Sequence, residues 1–463
     1  MISSSASVLH NHSAVRRVER ALRLSTLEGM AYGAVLGFGE RFAGAYGVAL
    51  GASNLQVALL TTVPVSLGAA SQLLAARLST ILGSRKRVVL LGAALSGLMW
   101  LPIMSIGFFL KDGGPVWLIA FLSLYIAFTS LTAPAWGSIM AEVVPDRIRG
   151  RYFGQRSRWS TLANVVTFFL AGGLLYLLRG HGLVGFALAF LLAMAFRMVS
   201  AALLATLVEL PHSPKDDDGL GAFAFFKQLP STNLGRITLY LLSVNFVVNL
   251  AAPLFVPYML RELEFSYITF TALELASMAA TILAVSRWGA VADKAGNRKV
   301  LALSGVMISL VPLLWLVSPN PVYLAFAQLY SGLAWAGFNL VSINFIYDAT
   351  TPRTRTSYLA YFNAGMSIAA ALGALTGGLL VGHVPAFMGS AILTMFVVSG
   401  VLRLTMAAAF LPHVREVRRV RTLSSAELFH IMLGGRTVHR PVHGAHVHAH
   451  HTHGHKDEEQ PTV

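Results

Sequence analysis

Trp288-Gly-Ala-Val-Ala-Asp-Lys-Ala-Gly-Asn-Arg-Lys299 is a short charged stretch set between two long apolar runs. A residue without a Cβ lets the chain reverse tightly, so Gly296 predicts a turn between two helix ends, and the basic residues around it belong in water at a membrane surface. The flanking runs cover roughly 267–289 and 299–318, each about 20 residues, enough to cross a hydrocarbon core about 30 Å thick. The same reading outward gives further segments at roughly 28–50, 55–76, 88–110, 115–141, 159–179 and 184–208, and then at roughly 237–260, 321–348, 358–381 and 385–411. The expectation is an all-α membrane protein with twelve transmembrane helices, numbered below as segments 1 to 12 in chain order.

Composition excludes most soluble readings. Hydrophobic residues make up 55% of the 463 and charged residues only 12%, with a mean hydropathy of +0.65, so a soluble fold would need an improbably large dry core. The formal net charge of +15 comes from loops and ends between apolar segments, so no nucleic-acid partner is expected. There is no cysteine, which removes disulfides and thiolate metal sites. Arg16, Arg17, Arg20 and Arg23 precede segment 1 without a short apolar core and cleavage site, so segment 1 is expected to act as an uncleaved signal. Most of the 35 lysines and arginines fall at the N-terminus, in alternate loops and in the tail, whereas the opposite loops hold Lys111, Arg179 and Arg261. The positive-inside rule then predicts that both termini are cytoplasmic. The expected division is a basic N-terminal segment (1–27), a six-helix bundle (28–209), a cytoplasmic linker (210–236), a second six-helix bundle (237–411) and a basic, His-rich tail (412–463). The expected location is a bacterial inner (plasma) membrane, with a multi-pass chain that works as a monomer.

The two bundles repeat each other in order. Leu50-Gly-Ala-Ser53 corresponds to Leu263-Glu-Phe-Ser266, and Gly83-Ser-Arg-Lys86 to Gly296-Asn-Arg-Lys299. Arg149-Gly-Arg-Tyr152 corresponds to Arg355-Thr-Ser-Tyr358, and Arg197-Met-Val-Ser-Ala-Ala202 to Arg403-Leu-Thr-Met-Ala-Ala408. Such parallel repeats are how two pseudo-symmetric transporter halves register in sequence.

The loop at 288–299 resembles the signature of the major facilitator superfamily, G-x-x-x-D-[R/K]-x-G-x-[R/K]-[R/K]. Gly289, Asp293, Lys294, Gly296, Arg298 and Lys299 match it, and Glu142-Val-Val-Pro-Asp-Arg-Ile-Arg-Gly-Arg-Tyr-Phe-Gly154 resembles the family's loop after segment 4. The likeness covers roughly residues 20–412. In the first half the pattern is degenerate: Ala76 replaces the first Gly and Thr80 the Asp, while Gly83, Arg85 and Lys86 remain. The resemblance implies a cytoplasmic gate in which Asp293 engages a neighbouring helix start and a loop arginine, with Arg353 and Arg355 as the candidate partners and Arg149 as the gating-loop arginine of the first half. Fixing topology and packing alone would also account for these residues.

By the same resemblance, segments 1, 4, 7 and 10 line a central cavity. A charge at mid-bilayer costs a few kcal/mol unless it faces protein or water, so Glu40, Arg41 and Glu274 are candidates for substrate or proton binding, or for a structural ion pair between Arg41 and one of the two acids. Trp136, Asn245, Asn249, Gln328, Trp335, Asn339 and Asn344 complete the candidate site. Asn245 and Asn249 share a helical face, and they suit a solute with hydroxyl or amide groups or hydrogen bonds between helices. Arg197 and Arg403 occupy equivalent places in segments 6 and 12 and are expected to pair with Glu142 and Asp348. Gly29, Gly33 and Gly37 form a small-residue face for close helix packing.

The tail histidines His446, His448, His450, His451, His453 and His455 could bind a transition metal, and Val414 to Arg421 reads as a basic segment lying on anionic lipid. No phosphate-binding loop of the Walker type is visible and no nucleophile and base share one depth, so neither an enzyme nor a bound cofactor is expected. The reading is a secondary transporter that moves a small solute by alternating access, coupled to protons. Alternatives are a transition-metal transporter using the His-rich tail, or a transporter-like sensor that binds a solute without moving it.

Overall fold

The computed structural model describes residues 2–110, 112–145, 148–207, 209, 232–350 and 352–416, excluding the side chains of 2–19, 73, 76, 141, 149, 150, 352–357 and 360. The first half comprises α1 (Ile2–Phe38), α2 (Ala43–Ala49), α3 (Asn54–Ile81), α4 (Arg85–Leu98), α5 (Trp100–Phe109), α6 (Gly114–Val143), α7 (Arg149–Leu177) and α8 (Val184–Leu204). The second comprises α9 (Asn233–Asn249), α10 (Tyr267–Ala295), α11 (Asn297–Leu314), α12 (Pro321–Ala349), α13 (Pro352–Leu380) and α14 (Ala391–Phe410). Ten helices among the described residues are long and apolar enough to cross a membrane. They begin with Arg85–Phe109, which joins α4 and α5, and end with Ala391–His413.

The predicted boundaries shift where polar residues continue a helix beyond its apolar window. Segment 5 belongs to a helix that begins at Arg149, and segment 11 to one that begins at Pro352, because the preceding turns rich in Arg, Ser and Thr remain helical. Segment 12 loses its first residues to the turn before Ala391, where the Ser390 hydroxyl accepts from the Ile392 and Leu393 N–H groups.

Two segments are interrupted. Segment 1 breaks after Phe38 into a 3-10 turn at Glu40–Phe42 before α2 resumes. Segment 7 breaks after Asn249 into a 3-10 turn at Ala252–Leu254 and ends in a π-helical turn at Tyr258–Glu262. The two 3-10 turns fall at the same point of the repeat. Freed backbone groups at membrane depth are tolerated where protein covers them or a cavity is lined, so paired breaks mark the level at which a site can be built.

Packing repeats as the sequence does. α1 packs on α7 and α8, and α9 on α13 and α14; α6 packs on α3 and α4, and α12 on α10 and α11. The halves meet through α3 against α13 and α7 against α10. Both serines of the first sequence match are helix caps: Ser53 Oγ accepts from Gln56 N at 3.2 Å and Ser266 Oγ from Thr269 N at 3.2 Å. The glycine face of α1 is used as expected, since a Cβ on Gly37 would lie 2.6 Å from the Asn164 carbonyl of α7. In the second half the close approach is made by α13, where a Cβ on Gly377 would lie 2.7 Å from the Leu250 carbonyl carbon.

Candidate functional site

The break in segment 1 places two charges where the halves meet. A Cβ on Gly39 would come 2.5 Å from Trp100 Cζ2, so the indole packs directly on the backbone where the helix stops. Glu40 Oε1 accepts from the Tyr125 hydroxyl of α6 at 2.5 Å. Arg41 Nε donates to Asn164 Oδ1 of α7 at 3.3 Å, and its guanidinium lies 5.4 Å from the Phe168 ring centroid. Phe42 packs against Phe168 and, across the interface, against Phe270 of α10 at 6.2 Å. One turn beyond Phe270, Glu274 accepts from Gln328 Nε2 of α12 at 3.2 Å. Arg41 lies within electrostatic reach of Glu274 but forms no ion pair with either acid among the described residues. Of the two readings, the structural ion pair is not formed; each half holds one carboxylate separately, with Arg41 near both.

On the side of the 50–53 and 263–266 loops, the interface is packed. Arg261 donates to the Ala52 carbonyl, a Cβ on Gly378 would lie 3.1 Å from Leu55 Cα, and one hydrophobic core runs from Tyr46, Phe186 and Phe190 to Leu254, Tyr258 and Phe396.

At the opposite end lie the two charged turns, 83–86 and 296–299. Gly83 and Gly296 both have positive φ, +62° and +88°, which requires glycine for the reversal. Arg85 holds Glu142 through both guanidinium ends at 2.7 and 2.8 Å. Glu209 caps α4, accepting from Arg85 N at 2.7 Å, Lys86 N at 3.3 Å and the Ser84 hydroxyl at 2.5 Å. In the second half Glu416 accepts from Arg298 N at 2.7 Å and Asp348 from Asn297 Nδ2 at 2.7 Å. Burial raises the Glu209 pKa, but the Ser84, Arg85 and Lys86 donors outweigh it and hold the carboxyl below its usual range. Asp293, Lys294 and Arg298 are exposed; the side chains of Arg149, Arg353 and Arg355 lie outside the described residues.

Several expected site members go elsewhere. Arg197 does not pair with Glu142; it donates to Ser96 Oγ at 2.9 Å and Ser200 Oγ at 3.2 Å. Arg403 does not pair with Asp348; it donates to Ser399 Oγ and the carbonyls of Ile308 and Val248. Both arginines are 2% exposed, held by neighbours at their own depth rather than by acids at the helix ends. Asn245 donates to the Met366 carbonyl at 2.6 Å and Asn249 to the Asn245 carbonyl at 2.8 Å, which favours helix packing over solute contact. Asn344 lies beside the turn at 296–299, donating to Asn297 Oδ1 at 3.4 Å. Trp335 stands edge-on to Phe338 at 5.8 Å, and Asn339 is exposed. Trp136 leaves the central site for a cavity inside the first half.

Around that cavity Trp136 and Arg197 are joined by Glu28 and Arg156, which the sequence reading passed over. Glu28 of α1 pairs with Arg156 of α7 at 2.6 Å and accepts from Ser200 Oγ at 2.9 Å. Arg156 lies 4.3 Å from the Trp136 ring centroid, and Arg197 lies 5.1 Å from that of Tyr32. Glu28 sits at the first residue of segment 1 and Arg156 just before segment 5, so an apolar window counts both as loop. Glu209 and Glu416 fall 12 and 13 residues after Arg197 and Arg403, a near-match that the sequence does contain. Among the described residues no cluster of three or more His, Cys, Asp or Glu could hold a metal ion; the tail histidines from His446 to His455 lie outside the described residues.

A family model described as "Major Facilitator Superfamily" matches residues 30–250 and 237–443. Solved structures share the fold. The nucleoside transporter NupG is 15% identical, with a TM-score of 0.59 over 86% of this chain and 98% of that one. A D-xylose–proton symporter is 14% identical, with a TM-score of 0.64 over 87% and 99%. A bacterial homologue of the human lysosomal transporter Spinster, inward-facing and unoccupied, is 16% identical, with a TM-score of 0.54 over 91% and 97%. No curated sequence matches the chain.

Proposed function

Because the chain belongs to the major facilitator superfamily, we propose that it is a proton-coupled secondary transporter moving a small polar solute between its two halves by alternating access. The ten apolar helices are joined in this reading by α1–α2 and α3 to give twelve spans, with the basic loops and both termini in the cytoplasm. The observation that carries the proposal is the placement of Glu40 and Glu274 on opposite halves at the level of the helix breaks, with Arg41 between them. With one carboxylate on each half, protonation and solute binding bias the same rocking of the halves. The packed side at Ala52 and Arg261 is then the outer gate, and the bonds around Arg85, Glu142 and Glu209 hold the inner ends of the first half together as a unit that rocks. The solved relatives described as nucleoside and xylose transporters agree with a polar cargo.

The test is transport in proteoliposomes with a solute found by thermal-shift screening of the purified protein. Glu40→Gln is expected to abolish accumulation driven by a pH gradient while solute exchange at equal pH persists, with Glu274→Gln milder. Normal accumulation by Glu40→Gln would remove this residue from proton coupling. Loss of exchange as well, in monodisperse protein, would assign Glu40 to solute binding.

A further inference from the structure

We propose that the first half contains a second ligand site, separate from the interface between the halves, that binds a small carboxylate. The site is a cavity of about 190 Å³ lined by α1, α4, α6, α7 and α8, with Glu28, Tyr32, Thr129, Trp136, Arg156 and Arg197 on its walls. This is below the roughly 300–1,000 Å³ of pockets for drug-sized ligands, so it takes a ligand of a few heavy atoms.

Three buried polar atoms on these walls have no hydrogen-bond partner: Arg197 Nη2, Trp136 Nε1 and Thr129 Oγ1. Buried polar groups in folded proteins are nearly always paired. Guanidinium and indole N–H groups can only donate and a threonine hydroxyl can, so what they lack is an acceptor. Glu28 does not supply the acceptor, since its oxygens are already taken by Arg156 and Ser200. Glu40 acts on Arg197 electrostatically, but it does not line the cavity and its Oε1 is held by Tyr125. Arg197, 2% exposed, has its Nε and Nη1 committed to Ser96 and Ser200 and its Nη2 unpartnered. A carboxylate supplies one negative charge and two acceptor oxygens for the free Arg197 and Trp136 donors.

The second half shows that the fold does not need this space. At the positions corresponding to Glu28, Thr129 and Thr132 it has Tyr240, Trp335 and Phe338, whose rings pack at 6.2 and 5.8 Å, and Arg403 has all its nitrogens bonded.

The experiment is calorimetric and thermal-shift titration of the purified full-length protein with sodium acetate, lactate and benzoate in constant chloride, against acetamide, lactamide and benzamide. At least one carboxylate is expected to bind saturably, with its amide at least tenfold weaker. Trp136→Phe and Thr129→Val, which keep shape and remove one donor each, should each weaken binding about threefold or more, and Arg197→Gln at least tenfold. The proposal fails if no carboxylate saturates, if the amides bind equally well, or if Trp136→Phe and Thr129→Val bind with unchanged affinity. Should Arg197→Gln not remain monodisperse, those two variants decide. No solute transport enters the readout, so failure here leaves the transport proposal standing, and the converse holds.

Discussion

The two halves share a frame and divide the chemistry unequally. Both break their first helix into a 3-10 turn at the same repeat position, but the first half puts Glu40 and Arg41 there and the second puts Ala252 and Pro253. Both cap the start of their third segment with a glutamate from beyond the sixth, Glu209 and Glu416. Both anchor a tyrosine hydroxyl on the first helix, Tyr152 on the Leu22 carbonyl and Tyr358 on that of Leu234. Inside the bundle the likeness ends: the first half buries an ion pair, Glu28–Arg156, where the second packs Tyr240 and Phe362 as buried rings. The difference teaches that the repeat conserves helix ends and crossings, which fix the fold, whereas the interior is free to carry function in one half and plain packing in the other.

The sharpest way to break this comparison is to remove one member of the buried pair. Arg156→Leu leaves the Glu28 carboxylate buried with only the Ser200 hydroxyl, and should lower unfolding stability in detergent by about 3–5 kcal/mol. The double variant Glu28→Leu/Arg156→Leu, which copies the apolar second half, should recover much of that loss. A double variant no better than the single would mean that the first half depends on charge for its fold.

Close helix approach should cost less. Gly37→Ala places a methyl 2.6 Å from a backbone carbonyl of α7 and should destabilise by about 1–3 kcal/mol, as should Gly377→Ala against α9. Gly173→Ala, with no atom within 4 Å of its Cβ, should cause no loss in the same thermal unfolding assay.

The Glu209 cap gives a pH signature. Its folded-state pKa is depressed, so its contribution is present above the unfolded-state value of about 4.3 and is lost as pH falls through the lower folded value. In Glu209→Gln, stability should be lower by about 1 kcal/mol near neutral pH, and the difference from the parent protein should shrink below about pH 4. A difference independent of pH would contradict the cap. The smallest effect is expected at Tyr240→Phe: the Tyr240 hydroxyl is buried and unpartnered, so its removal should change stability by less than about 0.5 kcal/mol or raise it.

Much of the frame was legible in the sequence because membrane helices announce themselves by length and hydropathy, and because paired motifs such as Ser53 and Ser266 or Gly83 and Gly296 do local backbone work that any fold of this kind requires. The helix breaks were not legible: Glu40-Arg41 reads as a charge within a span, and only the backbone shows that the helix stops at Phe38 and turns at Glu40–Phe42. Site membership was partly legible. The acids Glu40 and Glu274 stand out by their cost in lipid, but an amide or indole has no such mark. Asn245, Asn344 and Trp136 therefore looked alike in sequence and separate in space into a helix contact, a gate and an internal cavity. Glu28 and Arg156 were missed because each lies at the edge of an apolar window and only the fold brings them together.

The central claim is that the halves must part on the side where Leu55 and Gly378 touch. The chain has no cysteine, so the pair Leu55→Cys and Gly378→Cys can be introduced without background. A Cβ at 378 would lie 3.1 Å from Leu55 Cα, within disulfide reach. Solute counterflow in proteoliposomes is the measurement. Alternating access predicts that oxidation stops counterflow by the double variant and that reduction restores it, with neither single variant affected. Counterflow at the same rate before and after complete cross-linking would contradict it.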